Sequence, residues 1–172
     1  MTSYVALLRA VNVGGTSKLP MNELKRLAEE LGFEEPRTYI ASGNLIFSSG
    51  LSEDAVRKKL AASLASHLGK PVPVMVRTAA EMAAVVEGNP FKDAPRKRVL
   101  ATFLNEPPPG DALDRVRGHD GERLALGKRE IYVDYCGTLL GRSKLVIPAA
   151  ATGTARNMNT VAKLAELAKE KA

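Results

Sequence analysis

Within the first 76 residues, four β-prone runs and two helical stripes follow one another in a fixed order, most of them bounded by a glycine, proline or serine stop. Tyr4 to Arg9 is a short apolar run that reads as a strand. Pro20 suits a first helical position, and Leu24, Leu27, Ala28 and Leu31 recur at the spacing that lines one helix face. Gly32 sits where a left-handed residue would end that helix. Thr38 to Ile40 and Leu45 to Phe47 flank Ser42-Gly43-Asn44, which predicts two paired strands joined by a tight turn or bulge. Ser52 can cap a second helix, with Glu53 and Asp54 favourable at its positive end. Val56, Leu60, Leu64 and Leu68 form its inner stripe, and Gly69 closes it. Val72 to Val76, interrupted by Pro73, predicts a strand at a sheet edge. Strand, helix, strand, strand, helix, strand is the split βαβ, or ferredoxin-like, arrangement.

The remainder repeats part of that order. Thr78 and Glu81 form a capping box for a helix through Val85 and Val86, stopped by Gly88-Asn89-Pro90. Val99 to Leu104 reads as a strand, Asp111 to Arg117 as a short helix, and Leu124 to Leu126 with Ile131 to Tyr135 as a hairpin. Gly141 to Asn157 is irregular and rich in small residues, and a last helix carries Val161, Leu164, Ala165 and Ala168 on one face. The expectation is an α+β chain of two ferredoxin-like subdomains, the second with no clear closing strand. Residues 1–77 form the first subdomain, 78–97 a helix and connector, and 98–172 the second. A chain of 172 residues buries about 70% of its unfolded surface, enough for a true core.

Several chemistries are excluded by residue type. Cys136 is the sole cysteine, so neither an internal disulfide nor a cysteine-built zinc site can form. His67 and His119 stand neither in a helical metal pair nor beside that cysteine. Gly121 and Gly127-Lys128-Arg129 imitate a phosphate loop, but the spacing is five residues, and Arg129 replaces the hydroxyl that would hold magnesium. No familiar serine-nucleophile motif occurs. With no recognisable nucleophile, general base or metal site, the sequence weighs against an enzyme, and no motif points to a cofactor. No run reaches the ~18 apolar residues of a membrane span, and the basic start of a signal peptide is missing, so the expected location is the cytoplasm.

What remains is a set of polar loops. The first runs from Arg9 through Asn12, Gly14 and Gly15 to Lys18, where paired glycines can aim successive N–H groups at one point beside a helix start. The second is Ser42-Gly43-Asn44, whose small residues permit close approach. The third comprises Arg142, Ser143 and Lys144 together with Arg156 and Asn157, cations placed around the start of the last helix. Cations gain nothing from that end of a helix dipole, whereas an anion held between them gains from both. Arg96-Lys97-Arg98 reads as a solvated guard at a strand edge.

The segments Ala6-Leu7-Leu8-Arg9-Ala10-Val11-Asn12-Val13-Gly14-Gly15, Arg37-Thr38-Tyr39-Ile40-Ala41-Ser42-Gly43-Asn44, Gly141-Arg142-Ser143-Lys144 and Thr154-Ala155-Arg156-Asn157 resemble the bacterial domain-of-unknown-function family 1697. The likeness extends over nearly the whole chain. It implies a pair of ferredoxin-like subdomains whose hallmark is these polar loops, and it implies no established activity, substrate or cofactor. Met158 departs from it, standing where relatives are expected to carry Trp.

The reading that follows is a binding protein, or an enzyme, for a small anionic ligand, a phosphate or carboxylate compound, in a polar site built from loops of both halves. Arg9, Lys18, Arg142, Lys144 and Arg156 supply charge, and Asn12, Gly14, Gly15, Ser42, Gly43, Asn44, Ser143 and Asn157 supply neutral donors and close approach. Two alternatives stand beside it. One is weak, electrostatic nucleic-acid binding, suggested by 25 basic against 19 acidic residues but lacking a stacking surface of aromatics. The other is a structural or interaction protein whose polar loops only fix the two halves.

Overall fold

The computed structural model describes residues 1–12, 18–136 and 142–171. The chain forms two compact units, Met1–Ala83 with Lys163–Ala172, and Ala84–Ala162. The C-terminal ten residues thus belong with the first unit, and the division falls inside two helices.

In the first unit, strands β1 (Thr2–Leu8), β2 (Glu34–Thr38), β3 (Asn44–Ser49) and β4 (Val74–Thr78) form an antiparallel sheet of order β2-β3-β1-β4. Helix α1 (Met21–Glu30) links β1 to β2, and α2 (Glu53–Leu68) links β3 to β4. This is the expected order, with β4 at an edge. Tyr4, Ala6 and Leu8 on β1 pack with Leu24, Leu27 and Ala28 of α1 and with Val56, Leu60 and Leu64 of α2. The anticipated stops act as read: Ser52 Oγ accepts from the Ala55 N–H at 3.2 Å, and Gly32 and Gly69 are left-handed. β2 differs. It begins at Glu34 and omits Tyr39 and Ile40, because Pro36 and a register shift between Glu34 and Arg37 make it a short, polar edge strand.

The alternate side chains of β1 line the other sheet face. Val5 and Leu7 are fully buried, and Ser3 Oγ donates to the Ala168 carbonyl oxygen at 2.7 Å, so the end of helix α4 (Met158–Lys171) covers this face. A sheet covered on both faces explains why β3 is buried at every position.

The second unit has strands β5 (Val99–Phe103), β6 (Arg123–Leu126), β7 (Glu130–Asp134) and β8 (Thr154–Asn157), in the antiparallel order β6-β7-β5-β8. Counted from its own first strand, this order is that of the first sheet. The fold is therefore α+β with two ferredoxin-like sheets, as expected. The closing strand that the sequence pattern lacks is present as β8, paired along β5 from Leu100↔Asn157 to Phe103↔Thr154. Only four residues long and polar at three of them, it carries no apolar alternation to read. The expected helix at 111–117 is a single 3₁₀ turn, Ala112–Arg115. The helix before β5 is α3 (Ala79–Glu87), and its capping box forms: the Thr78 N–H donates to Glu81 Oε1 and the Glu81 N–H to Thr78 Oγ1.

Candidate functional site

The loop leaving β1 is held from both sides. The Leu8 N–H donates to the Gly43 carbonyl at 2.9 Å, and the Arg9 N–H to the Pro73 carbonyl at 3.0 Å. Asn12 then joins three segments with one amide. Its Nδ2 donates to the carbonyls of Leu19 and Ala41, both at 2.8 Å, and its Oδ1 accepts from the Leu19 N–H at 2.7 Å. An amide suits this place, having two donors and an acceptor and tolerating the left-handed φ of 57° found here.

The loop from β2 to β3 meets it. Gly43 has φ 91°, and a Cβ there would come within 2.6 Å of Val11 Cγ2 and 3.0 Å of Leu8 Cβ, so the β1 loop packs where a side chain would stand. Asn44 is fully buried, its Nδ2 donating to the Tyr39 carbonyl and to Ser42 Oγ. Of the five described non-glycine residues with positive φ, Ala10, Asn12 and Ile40 lie in these two loops. Ile40 is β-branched and half-exposed, and its left-handed φ of 51° costs about 1–3 kcal/mol. Backbone strain of this kind concentrates at ligand sites.

Between the loops lies an open depression of about 390 Å³, lined by Asn12, Lys18, Leu19, Pro20, Met21 and Ala41. The start of α1 forms one wall. No side chain caps it, Pro20 has no N–H, and the first intrahelical donor is Glu23, so the N–H groups of Met21 and Asn22 precede the helix's own bonds. Lys18 is exposed beside them. The one carboxylate in that first turn, Glu23, is engaged with Arg26 at 2.6 Å, and this hydrogen bond holds its pKa below the usual value. Gly14 and Gly15 lie outside the described residues.

In the second unit the named residues do different things. Arg142 and Lys144 are exposed. Ser143 Oγ donates to Glu122 Oε2 at 2.7 Å, which, after the Asp120 N–H, helps to lower the Glu122 pKa. Asn157 Oδ1 accepts from the Thr160 N–H and caps α4. Arg156 is only 8% exposed, and its Nη1 donates to Thr154 Oγ1 at 2.8 Å and to the Ala155 carbonyl at 3.0 Å. Burial pushes its guanidinium down to about 10.

Two groups escaped the sequence reading. Arg77, on β4, is 1% exposed and donates to the Val76 carbonyl. Asp134, with a fully buried side chain, gathers Arg98 Nε at 2.8 Å, Arg123 Nη2 at 2.6 Å and the Cys136 N–H at 3.0 Å. Burial alone would raise this carboxyl, but those hydrogen bonds outweigh it and hold the group well below the usual carboxylate range. Arg123 continues to Asp93 at 3.0 Å and lies over the Phe91 ring. Arg98 is therefore no edge guard: β5 is an inner strand, and this side chain is spent on Asp134. The available signal was cross-strand register, since Asp134 stands opposite both Val99 and Arg123.

Among the described residues, no group of three His, Cys, Asp or Glu is placed to hold a metal, and no helix is long and apolar enough to cross a membrane. The first unit's loops thus offer hydrogen-bond donors and positive potential. A family model described as a protein of unknown function (DUF1697) matches residues 1–132. The fold is similar to that of the conserved bacterial protein SP0830 from Streptococcus pneumoniae, at a TM-score of 0.80 and 26% identity, over 97% of this chain and 98% of that one. No curated protein matches the chain.

Proposed function

Because the chain belongs to the DUF1697 family, for which no activity is established, we propose from its own geometry that it binds a small phosphate- or carboxylate-bearing molecule at the loop cluster of the first unit. One observation carries the reading. Asn12 clamps the uncapped start of α1 against Ala41 around an open depression, with Lys18 on the rim. The N–H groups of Met21 and Asn22 and the positive end of α1 favour an anion in that depression. Lys18, which lines the depression, adds a full charge. The strain at Ala10 and Ile40 fits loops shaped for a ligand rather than for their own comfort.

A structural reading draws on a different observation. Asn44 and Asn157 use polar atoms on their own turn and cap, and Ser143 bonds Glu122, as residues that only hold a fold would do.

The test is thermal shift with phosphorylated and polycarboxylate metabolites, together with amide spectra of the ¹⁵N-labelled chain titrated with inorganic phosphate. An anion that binds only the folded state stabilises by about 2.7 kcal/mol at a hundred times its Kd. The amides of Met21 and Asn22 should move, and Lys18→Gln should weaken the response. If no anion raises the melting temperature and those amides stay in place, the structural reading replaces this one.

A further inference from the structure

The second unit holds a smaller cavity, about 260 Å³, between the end of α3, the loop to β5 and the start of α4. Its lining divides by chemistry. Val86, Ala94 and Met158 give an apolar floor, with Ala94 and Met158 buried, while Asn89, Lys92, Arg96 and Glu87 supply the polar groups.

Asn89 is the informative member. It is 7% exposed, and its Oδ1 accepts from the Phe91 N–H at 2.9 Å, which fixes the amide plane. Within the described residues its Nδ2 has no partner, yet no fully buried side-chain nitrogen or oxygen lacks one. Nδ2 therefore reaches open space, and the cavity it lines is where it does so. An amide donor left facing a pocket wall awaits an acceptor. Lys92 and Arg96 add two positive charges and Glu87 removes one. Glu87 meets Lys92 only at 3.9 Å, between exposed side chains, a contact too weak to commit either.

We infer that this cavity is a binding site for a small monocarboxylate with an apolar body. The carboxylate accepts from Asn89 Nδ2 and faces Lys92 and Arg96, while the body lies on Val86, Ala94 and Met158. The single excess positive charge matches a monoanion, and the apolar floor favours an organic acid over an inorganic ion. At about 260 Å³ the space lies just under the ~300–1,000 Å³ typical of ligand pockets, which limits the occupant to metabolite size. The site is independent of the loop cluster in the first unit.

The probe is benzoate, titrated into the ¹⁵N-labelled full chain, with benzyl alcohol and inorganic phosphate as comparisons. Benzoate should move the Asn89 side-chain NH₂ signals and the Met158 amide in one saturable isotherm. Asn89→Asp keeps the acceptor for Phe91 but replaces the donor with a negative charge, and should weaken benzoate at least about tenfold. Should that variant misfold, exposed Arg96→Gln carries the same test, with a loss of several-fold. Glu87→Gln should tighten binding. No movement with benzoate overturns the proposal. So does equal movement with benzyl alcohol or phosphate, or unchanged affinity in a folded Asn89→Asp or Arg96→Gln chain. Response at Met21 and Asn22 to phosphate reports the other site alone.

Discussion

The two sheets have the same strand order but are held by different means. In the first unit both crossovers are α-helices, and their stripes of Leu, Val and Ala close one sheet face with a broad apolar core. In the second, the described residues of the crossovers form a 3₁₀ turn at Ala112–Arg115 and another at Pro148–Ala150. Leu104, Ile131 and Val133 still pack beneath them, with Leu113, Leu145 and Ile147. Polar bonds do more of the fastening there. Arg117 and Val146 exchange both backbone hydrogen bonds, and Gly118 comes so close to Lys144 that a Cβ would lie 2.0 Å from its carbonyl oxygen. The Asp134 network ties β5, β6 and β7 at one end. Strand order follows from pairing, and the cover over a sheet can be apolar helix or bonded loop.

The largest effect is expected in the first unit. Leu60, fully buried on α2, should cost about 4 kcal/mol when replaced by alanine, since a cavity opens among helix stripes with little room to collapse. Hydrogen exchange should show lost protection in β1 and β3. A cost under about 1 kcal/mol would mean that helix packing is not what holds this unit.

Next comes the second unit's polar fastening. Asp134→Ala should cost about 3 kcal/mol, the lower end for breaking a buried ion pair, because Arg98 and Arg123 are 36% and 39% exposed and can take up water. The pH dependence has a definite sign. A carboxyl whose folded pKa is depressed stabilises fully above its unfolded pKa of about 3.9, and that stabilisation is lost as pH falls from there through the folded value. Exchange protection in β6 and β7 should therefore fall in acid before that in β1 and β3, and Asp134→Asn should flatten the difference. Simultaneous loss in both units, unaltered by Asp134→Asn, would erase the contrast.

The smallest effect sharpens the picture at α2. Ser52→Ala removes the acceptor for the Ala55 N–H and should cost about 1 kcal/mol, read as a lowered urea midpoint. An unchanged midpoint would show that tertiary packing alone fixes where this helix begins.

Local pattern made the first unit legible because its determinants are local. Helix periodicity at Leu24, Leu27 and Ala28, the Ser52 cap and the Thr78–Glu81 box each act within one or two turns, so neighbours in sequence are neighbours in space. The turn chemistry of Ser42-Gly43-Asn44 was readable for the same reason, and Asn12 was identifiable as a polar loop residue with amide chemistry to offer. Which segments that amide would join was not, since Leu19 and Ala41 lie 7 and 29 residues away.

The second unit shows where such reading ends. A four-residue strand with a buried arginine has no period, and β8 exists only because β5 offers it an edge. Asp134 is one acid in an otherwise ordinary strand until register sets it opposite Arg123 and brings Arg98 to its other oxygen. Asn89 reads as a helix stop, and its free donor has meaning only beside a cavity whose far wall is Met158, 69 positions later. The sequence by itself determined the first unit's helices and their stops, because those rest on contacts a few residues apart, and the order of elements then implied its sheet. The tertiary structure decided which polar groups are shared, which are buried and which still face open space, because partners for hydrogen bonds and charges are chosen across distances that no periodicity encodes.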